Sequence, residues 1–313
     1  MKEKLIVIAG PTAVGKTALG VKLAKKYQGE VISGDSMQVY KGMDIGTAKV
    51  TPDEMNGVVH HLIDILEPNE AFSVADFKER CTPLITAINQ KEKLPLIVGG
   101  TGLYVNSIIK GYEFDSKPTD EDYRQELEQL AFTIGKDELH KMLEREDPKA
   151  AQLIHPNNVR RVIRALEVTR ATGKPFSSQQ IEEQGESKYD VAIIGLTMDR
   201  TKLYERINMR VDLMVEQGLI EEVRSIYDKG IRDCQSVQAI GYKEIYDYFE
   251  GRYSLEDAIE TLKKNSRRYA KRQLTWFRNK TNATWFDVTN GLREESFQEI
   301  CLFIEGKFPF ISK

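Results

Sequence analysis

The residues Gly10-Pro11-Thr12-Ala13-Val14-Gly15-Lys16-Thr17 decide how the start of this chain folds. They match the pattern G-x-x-x-x-G-K-[ST] at every defined position, after an apolar run at residues 5–8. Residues 18–27 then carry apolar side chains at helical spacing. Strand, glycine turn and helix together cradle phosphate, because backbone N–H groups and the helix N-terminus face the oxygens. We therefore predict a phosphate-binding loop in which Lys16 adds a charge and Thr17 a hydroxyl for Mg²⁺.

The composition limits the class of protein. The chain has 313 residues, enough for two domains, and its 41% hydrophobic and 30% charged residues are typical of a soluble protein. The net charge is −3, so any surface for nucleic acid must be local. Cys81, Cys234 and Cys301 lie far apart and are expected to be reduced thiols rather than zinc ligands. No apolar run reaches membrane-spanning length, so we expect a cytoplasmic protein with no membrane partner. We also expect the protein to be a monomer.

A second predicted strand ends in Gly34-Asp35-Ser36-Met37-Gln38. In open parallel α/β sheets, ligands bind at the carboxyl ends of the strands, so Asp35 is expected beside the phosphate loop. An aspartate after a strand can also form a turn or cap a helix. The position of Asp35 at the predicted ligand edge favours a functional role.

A further buried strand, at residues 94–98, runs into Gly99-Gly100-Thr101. Typical P-loop ATPases and GTPases place an aspartate after such a strand to hold Mg²⁺, and this chain has none there. A glycine turn with a threonine hydroxyl instead suits close approach of the backbone to another ligand. This argues against a regulatory NTP-driven module.

Three local patterns lie between these strands. The neighbouring His60 and His61 would point to opposite faces of a strand, so they cannot chelate a metal together. Residues 62–66 form a run typical of a strand. Residues 73–91 have helical periodicity after a capping Ser73, and Pro83 predicts a kink or break in that helix.

The composition changes to helical patterns from residue 114 onward. Residues 159–172 are amphipathic, carry arginines on one face and end at Gly173. Strand patterns return at residues 191–196. We therefore predict an α/β fold with a P-loop NTPase-like core and a mostly parallel sheet, divided as core 1–113, inserted all-helical domain 114–190 and core 191–313.

Two helices in the last third carry arginine and lysine. Arg206 and Arg210 share one helix face, and they can reach the phosphate site if that helix starts at the carboxyl edge of the sheet. Residues 255–278 form a long predicted helix with far more basic residues than the helix dipole favours. This surplus favours a polyanionic partner over a simple solvated face. The residues alone leave two classes open: a small-molecule or nucleotide kinase, and a group transferase that acts on nucleic acid and releases diphosphate.

Eight segments occur along the chain in this order: GPTAVGKT (10–17), GDSMQVY (34–40), DIGTAK (44–49), HHLIDI (60–65), GGTGLY (99–104), NNVRR (157–161), QAIGYK (238–243) and RYAKRQLTWF (268–277). Together they resemble the bacterial tRNA dimethylallyltransferases, also called tRNA isopentenyltransferases, across nearly the whole chain. Val50 and Val59 stand where that family is expected to have proline, which affects turns only.

The resemblance implies transfer of a dimethylallyl group from dimethylallyl diphosphate to the exocyclic N6 of the adenosine next to the anticodon, on its 3′ side, in tRNA. It implies Mg²⁺ as the cofactor on Thr17, and Asp35, Thr101, Lys16 and Arg210 as catalytic residues. An adenylate isopentenyltransferase remains the alternative within the family. The inserted domain is expected to grip the anticodon stem-loop. The residues implied in tRNA binding are Asp35, Ser36, Met37, Gln38, Thr101, Tyr123, Val159, Arg160, Arg161, Val162, Ile163, Gly241, Tyr242, Lys243, Arg268, Lys271, Arg272, Gln273 and Arg278.

Overall fold

A fully parallel six-stranded sheet lies at the centre of the computed structural model, which describes residues 2–112, 120–179 and 187–308. The order of the strands across the sheet is β3-β2-β4-β1-β5-β6, with every neighbouring pair parallel. In chain order the strands are β1 (Glu3–Ala9), β2 (Glu30–Ser33), β3 (His60–His61), β4 (Pro95–Val98), β5 (Tyr189–Thr197) and β6 (Thr284–Asp287).

The chain divides into two compact units, one formed by Met1–Gly111 with Glu186–Lys313 and the other by Tyr112–Gly185. The first unit contains the sheet, and the second is helical. The helices are α1 (Lys16–Lys26), α2 (Pro52–Met55), α3 (Val74–Gln90), α4 (Gly102–Ile109), α5 (Glu121–Ile134), α6 (Lys136–Glu146), α7 (Pro148–Leu153), α8 (Val159–Thr172), α9 (Arg200–Glu216), α10 (Leu219–Asp228), α11 (Tyr242–Phe249), α12 (Leu255–Lys280) and α13 (Glu294–Lys307).

From Leu5 to Ala9, strand β1 is apolar at every position because both of its faces are covered. Its residues Leu5, Val7 and Ala9 belong to one hydrophobic core, whereas Ile6 and Ile8 belong to a second core. None of these five side chains is exposed to solvent. Successive side chains of a strand point to opposite faces of the sheet, so a strand between two helical layers must be apolar at every position.

The carboxyl ends of β2 and β4 approach each other so closely that two glycines are required. Gly34 N–H donates to the Val98 carbonyl at 2.9 Å, and Thr101 N–H donates to the Gly34 carbonyl at 3.3 Å. A Cβ added at Gly99 would lie 2.3 Å from the carbonyl carbon of Gly34. Asp35 and Thr101 therefore emerge side by side at this edge.

Two local predictions were wrong. The strand predicted at residues 62–66 is absent, and β3 stops at His61, because Leu62 (φ 60°) and Asp64 (φ 53°) adopt left-handed conformations that end an extended segment. The break predicted at Pro83 is wrong, because α3 is one helix from Val74 to Gln90, whereas the kink stays a prediction. Burial of its apolar face, at Phe77, Cys81, Ile85 and Ile88, outweighs the single backbone hydrogen bond that proline removes.

The helical unit has a small hydrophobic core of its own. Leu127 of α5, Leu139 and Leu143 of α6 and Leu166 of α8 are all buried in it. Within this unit Arg170 stacks over the Tyr123 ring at 3.9 Å, which covers an aromatic side chain with a cation. In neither unit is a described helix both long enough and apolar enough to cross a membrane.

Replacing Gly99 with alanine tests the close approach of β2 and β4. Gly99→Ala forces a Cβ into the backbone of Gly34, so we expect a loss of about 1–3 kcal/mol in the free energy of unfolding, as for other overpacked sites. Gly306→Ala in α13 is the matched control, since its Cβ would meet nothing within 4 Å and alanine favours helix. Chemical denaturation of both variants measures the difference. Equal stability of the two variants would contradict this account of the edge.

Candidate functional site

The phosphate loop connects β1 to α1 in the geometry that an anion requires. Gly10 (φ 149°), Ala13 (φ 65°) and Gly15 (φ 105°) have positive φ angles, which turn the backbone through the loop. Helix α1 starts at Lys16 with no capping side-chain hydrogen bond on Gly15 and no acidic residue in its first turn. The first N–H groups of α1 therefore lack a helical or capping partner, and their dipoles favour a negative ligand.

The side chain of Gln273 joins this loop to the glycine turn after β4. Its Oε1 accepts a hydrogen bond from Thr12 N–H at 2.8 Å, and its Nε2 donates to the Gly100 carbonyl at 3.0 Å. Gln273 comes from the middle of α12 and is 5% exposed. One buried amide thus sets the distance between the phosphate loop, the turn that carries Thr101, and α12.

Asp35 and Lys16 are coupled charged groups at this edge. Asp35 Oδ1 accepts hydrogen bonds from Met37 N–H at 2.8 Å and Gln38 N–H at 3.4 Å. Burial raises the pKa of Asp35, although these two N–H donors and the Lys16 charge oppose the shift. Burial, followed by the charge of Arg210, lowers the pKa of Lys16 to about 7. Lys16 Nζ also donates to the Pro11 carbonyl at 2.7 Å.

Helix α9 brings two guanidinium groups to the same place. Arg206 and Arg210 lie one turn apart in the wall of the cavity that Lys16 also lines. Burial, and next the charge of Arg206, lowers the pKa of Arg210. Three cations that raise one another's electrostatic free energy form a strong site for a multiply charged anion.

Two cavities meet at Asp35. The larger, of about 530 Å³, is lined by the phosphate loop and by the basic residues of α9. The smaller, of about 330 Å³, is lined mainly by apolar residues, with Tyr269 and Arg272 of α12 among them. The residues that line both cavities are Thr12, Asp35, Thr47, Ala48, Arg210 and Met214.

Polar groups of α12 lie in the wall of the smaller cavity. The Thr101 hydroxyl, in the glycine turn, is buried beside Tyr269 and lines neither cavity. Burial, followed by the Asp35 charge, raises the pKa of Tyr269 to about 12, while the side chains of Thr101 and Gln273 beside it act in the opposite direction. Tyr269 is therefore a neutral hydrogen-bonding group at physiological pH.

The donor set suits Mg²⁺ that is shared with a diphosphate. Thr17 is exposed and lines the larger cavity beside Lys16. Among the described residues no cluster of three or more His, Cys, Asp or Glu side chains could hold a metal. Mg²⁺ commonly takes one or two protein oxygens and completes its shell with phosphate and water, so a single hydroxyl fits that mode.

Most residues predicted for the reaction come together at this edge. Lys16, Thr17, Asp35 and Arg210 line the larger cavity. Asp35, Ser36, Met37, Arg210 and Arg272 line the smaller one. Gln38 lines the larger cavity, but its amide already accepts a hydrogen bond from Ser33 Oγ at 3.2 Å and donates one to the Ala48 carbonyl at 3.2 Å.

Several residues that the resemblance implied for tRNA binding are interior instead. Tyr242 is 0% exposed and Val162 0%, while Ile163 is 4% exposed. Their side chains pack in hydrophobic cores, out of reach of a nucleic acid, and the Gln273 amide is bonded within the protein. By contrast, the exposed predicted residues are Arg160, Arg161, Lys243, Arg268, Lys271, Arg272 and Arg278.

Sequence reasoning missed the place of Tyr269. In α12 the side chains of Leu262, Ser266, Tyr269 and Arg272 follow one another at helical spacing along the wall of the smaller cavity. This spacing is visible in the sequence, but only the structure shows that the stripe faces a cavity.

Comparison with known proteins gives consistent results. The family model described as IPP transferase matches residues 38–280. A curated tRNA dimethylallyltransferase of Halalkalibacterium halodurans is 61% identical over 100% of both chains. The crystal structure of the full-length tRNA isopentenylpyrophosphate transferase from Bacillus halodurans is 60% identical with a TM-score of 0.76, over 99% of this chain and 98% of that one.

A eukaryotic dimethylallyltransferase acting on tRNA is a more distant solved relative. It is 32% identical with a TM-score of 0.77, and the match covers 92% of this chain and 74% of that one. Together with the parallel sheet, these likenesses confirm the predicted α/β P-loop-type fold.

The lowered pKa of Lys16 predicts how diphosphate affinity depends on pH. Lys16 is protonated below about pH 7 and neutral above it, so its attraction for the anion is lost as pH rises. Titration calorimetry with inorganic diphosphate should show wild-type affinity falling, relative to Lys16→Met, by about tenfold between pH 6.5 and 8.5. The methionine variant retains the apolar stem and accounts for titration of the ligand itself. A ratio that is constant with pH would contradict the prediction.

Proposed function

The chain belongs to the IPP transferase family and is a prenyl-transferring enzyme like its curated relatives, and we propose the following reaction for it. It transfers a dimethylallyl group from dimethylallyl diphosphate to the exocyclic N6 of the adenosine on the 3′ side of the anticodon in tRNA, and it releases diphosphate. The observation that carries this proposal is the meeting at Asp35 of a phosphate-binding cavity and a largely apolar cavity.

The larger cavity holds the leaving group. Backbone N–H groups of the phosphate loop, Lys16 and Arg210 surround the diphosphate, whose negative charge grows as the C1–O bond breaks. Electrostatic groups aimed at developing charge contribute about 10²- to 10³-fold each to the rate. Mg²⁺ held by the Thr17 hydroxyl and the diphosphate supplies further charge neutralisation when bound.

The smaller cavity receives the acceptor base. An adenosine in a stacked loop cannot reach Asp35, so the nucleotide leaves the stack and enters the cavity. Apolar side chains such as Met37 and Ile240 contact the flat base and the five-carbon group, and Tyr269 and Arg272 add polar contacts. A cavity of about 330 Å³ is at the small end of ligand pockets, which suits one base.

Asp35 acts as the general base at the boundary of the cavities. The N6 lone pair forms the new bond to C1, the electron pair of the C1–O bond leaves with the diphosphate, and the N6 proton passes to the Asp35 carboxylate. The raised pKa makes this carboxylate a stronger base than an exposed aspartate. The Thr101 hydroxyl, which lies beside Tyr269, helps to orient the amine.

Basic surfaces hold the tRNA backbone. On α12, Arg268, Lys271 and Arg272 are exposed. On α8 of the helical unit, Arg160 and Arg161 occupy the first turn, no ion pair to them occurs in the described part of the chain, and Asn158 provides no side-chain cap. A cation at a helix N-terminus is unfavourable by itself. A bound phosphate would interact favourably with both the two arginines and the uncapped N–H groups.

The residues that line the two cavities come from the sheet-containing unit of the chain. We propose that the enzyme acts as a monomer. We place it in the cytoplasm, where its RNA substrate is found.

Isotope transfer tests the reaction. The protein is incubated with unmodified tRNA and either dimethylallyl diphosphate labelled in the alkyl group or ATP labelled in the γ-phosphate. Label should enter tRNA from the first donor alone, at the adenosine next to the anticodon. Transfer from ATP would instead support a kinase, and labelling of free AMP in place of tRNA would support an adenylate isopentenyltransferase.

Replacing Asp35 with asparagine should remove the general base while retaining the shape of the site. We expect the single-turnover rate to fall by about 10²- to 10⁴-fold, with diphosphate affinity changed far less. Asp53→Asn, an exposed position on α2, is the control. A near-normal rate for Asp35→Asn would remove the general-base role.

The basic first turn of α8 should contribute to tRNA affinity. We expect the double variant Arg160→Ala, Arg161→Ala to bind tRNA about tenfold more weakly and to lower the slope of log affinity against log salt by about one to two. The control is Lys141→Ala on α6, an exposed lysine that pairs with Glu138 at 2.7 Å. Filter binding at several salt concentrations measures both quantities. An equal loss in the control variant would show a general effect of charge instead.

A further inference from the structure

The loop at residues 44–49 forms a wall common to the two cavities. Thr47 and Ala48 line both of them, Gly46 lines the smaller, and Asp44, Ile45 and Lys49 line the larger. It contains no helix or strand, so its position depends on contacts made from outside it.

Glu222 of α10 makes the most concentrated of those contacts. Its Oε2 accepts hydrogen bonds from Asp44 N–H at 2.8 Å and Ile45 N–H at 2.7 Å, and its Oε1 accepts one from Gly46 N–H at 2.9 Å. The Tyr242 hydroxyl donates to the same Oε1 at 2.5 Å. These four donors use nearly the full accepting capacity of one carboxylate.

Only an anion satisfies this arrangement. Three successive N–H groups converge on one point, as they do in backbone nests that bind anions. An amide side chain has one accepting oxygen, and its NH₂ group would face donors. The loop also packs closely against Tyr242, because a Cβ at Gly46 would lie 2.6 Å from the Tyr242 ring.

The loop is connected in turn to the general base. Gln38 Nε2 donates to the Ala48 carbonyl at 3.2 Å and approaches the Thr47 carbonyl at 3.5 Å. The backbone N–H of Gln38 donates to Asp35 Oδ1 at 3.4 Å. Movement of the loop therefore moves Gln38, and Gln38 is one of the two N–H donors that orient the Asp35 carboxylate.

The geometry points to Glu222 as a positioning residue for the transfer step. It touches neither substrate; it fixes the wall that the donor and acceptor cavities share and, through Gln38, the orientation of Asp35. This inference rests on the proposed prenyl transfer. The consequence is that Glu222 controls the rate of transfer and the exclusion of water from the donor, more than it controls the binding of either substrate.

The variant Glu222→Gln tests this role. With wild-type prenylation of tRNA established first, we expect kcat to fall about 30- to 100-fold while KM for dimethylallyl diphosphate and for tRNA stays within threefold. The matched control is Glu221→Gln, the adjacent exposed glutamate in the same first turn of α10. Its kcat should stay within twofold of wild type. An unchanged kcat for Glu222→Gln, or a loss confined to KM, would overturn the inference.

A second readout separates positioning from simple stability. When the shared wall loosens, water attacks C1 of the donor, the C1–O electron pair leaves with diphosphate, the water proton goes to solvent, and dimethylallyl alcohol forms. We expect the ratio of alcohol to prenylated tRNA to rise at least tenfold in Glu222→Gln. A lower melting temperature with a wild-type ratio would overturn the inference, because it would show a merely structural role.

Tyr242→Phe keeps the test decisive if Glu222→Gln does not fold. It removes one of the four donors to Glu222 and leaves the three backbone hydrogen bonds intact. We expect a threefold to tenfold fall in kcat and a rise in the alcohol ratio of similar size. A wild-type kcat and ratio in this variant would overturn the inference, whereas failure of the wild-type protein to prenylate tRNA would overturn the proposed function itself.

Discussion

The site depends on the two hydrogen bonds of the Gln273 amide. They connect Thr12 of the phosphate loop and Gly100 of the glycine turn to α12, from one buried side chain. A buried amide must satisfy both its donor and its acceptor, so this contact allows little freedom to the segments that it joins. The two cavities that meet at Asp35 therefore keep a fixed spacing, which the proposed transfer at one carbon requires.

A second constraint is charge. The chain is weakly acidic as a whole, yet Lys16, Arg206 and Arg210 share one cavity in which Asp35 is the acidic neighbour of Lys16. Burial is the largest cause of the lowered pKa values of Lys16 and Arg210, and the charges of Arg210 and Arg206, respectively, add to it. The proposed diphosphate would reduce this repulsion between cations. The site without its ligand therefore has an unfavourable electrostatic free energy, which the ligand would lower.

The parts of the site that could be predicted from the sequence are local. The phosphate loop, Asp35 after β2 and the basic face of α12 each follow from residues close together in the chain. The hydrogen bonds of Gln273 to the phosphate loop and of Glu222 to the loop at residues 44–49 join residues that are far apart in sequence. No local pattern reveals such pairs. The wrong strand at 62–66 has a similar cause, since the mostly apolar run does not reveal that Leu62 and Asp64 adopt left-handed conformations.

The distance in sequence between Thr12 and Gln273, 261 residues, has a consequence for biosynthesis. Chains are made from the N-terminus, so the phosphate loop leaves the ribosome long before α12, the helix that carries Gln273. Strand β1 also cannot pair with β5, its neighbour on one side, until β5 has been synthesised after the whole helical unit. Contacts between distant segments form slowly during folding. An interrupted chain that lacks α12 would thus carry the complete phosphate-loop sequence without Gln273 or the α12 wall of the smaller cavity, so the site is assembled only after α12 has been synthesised.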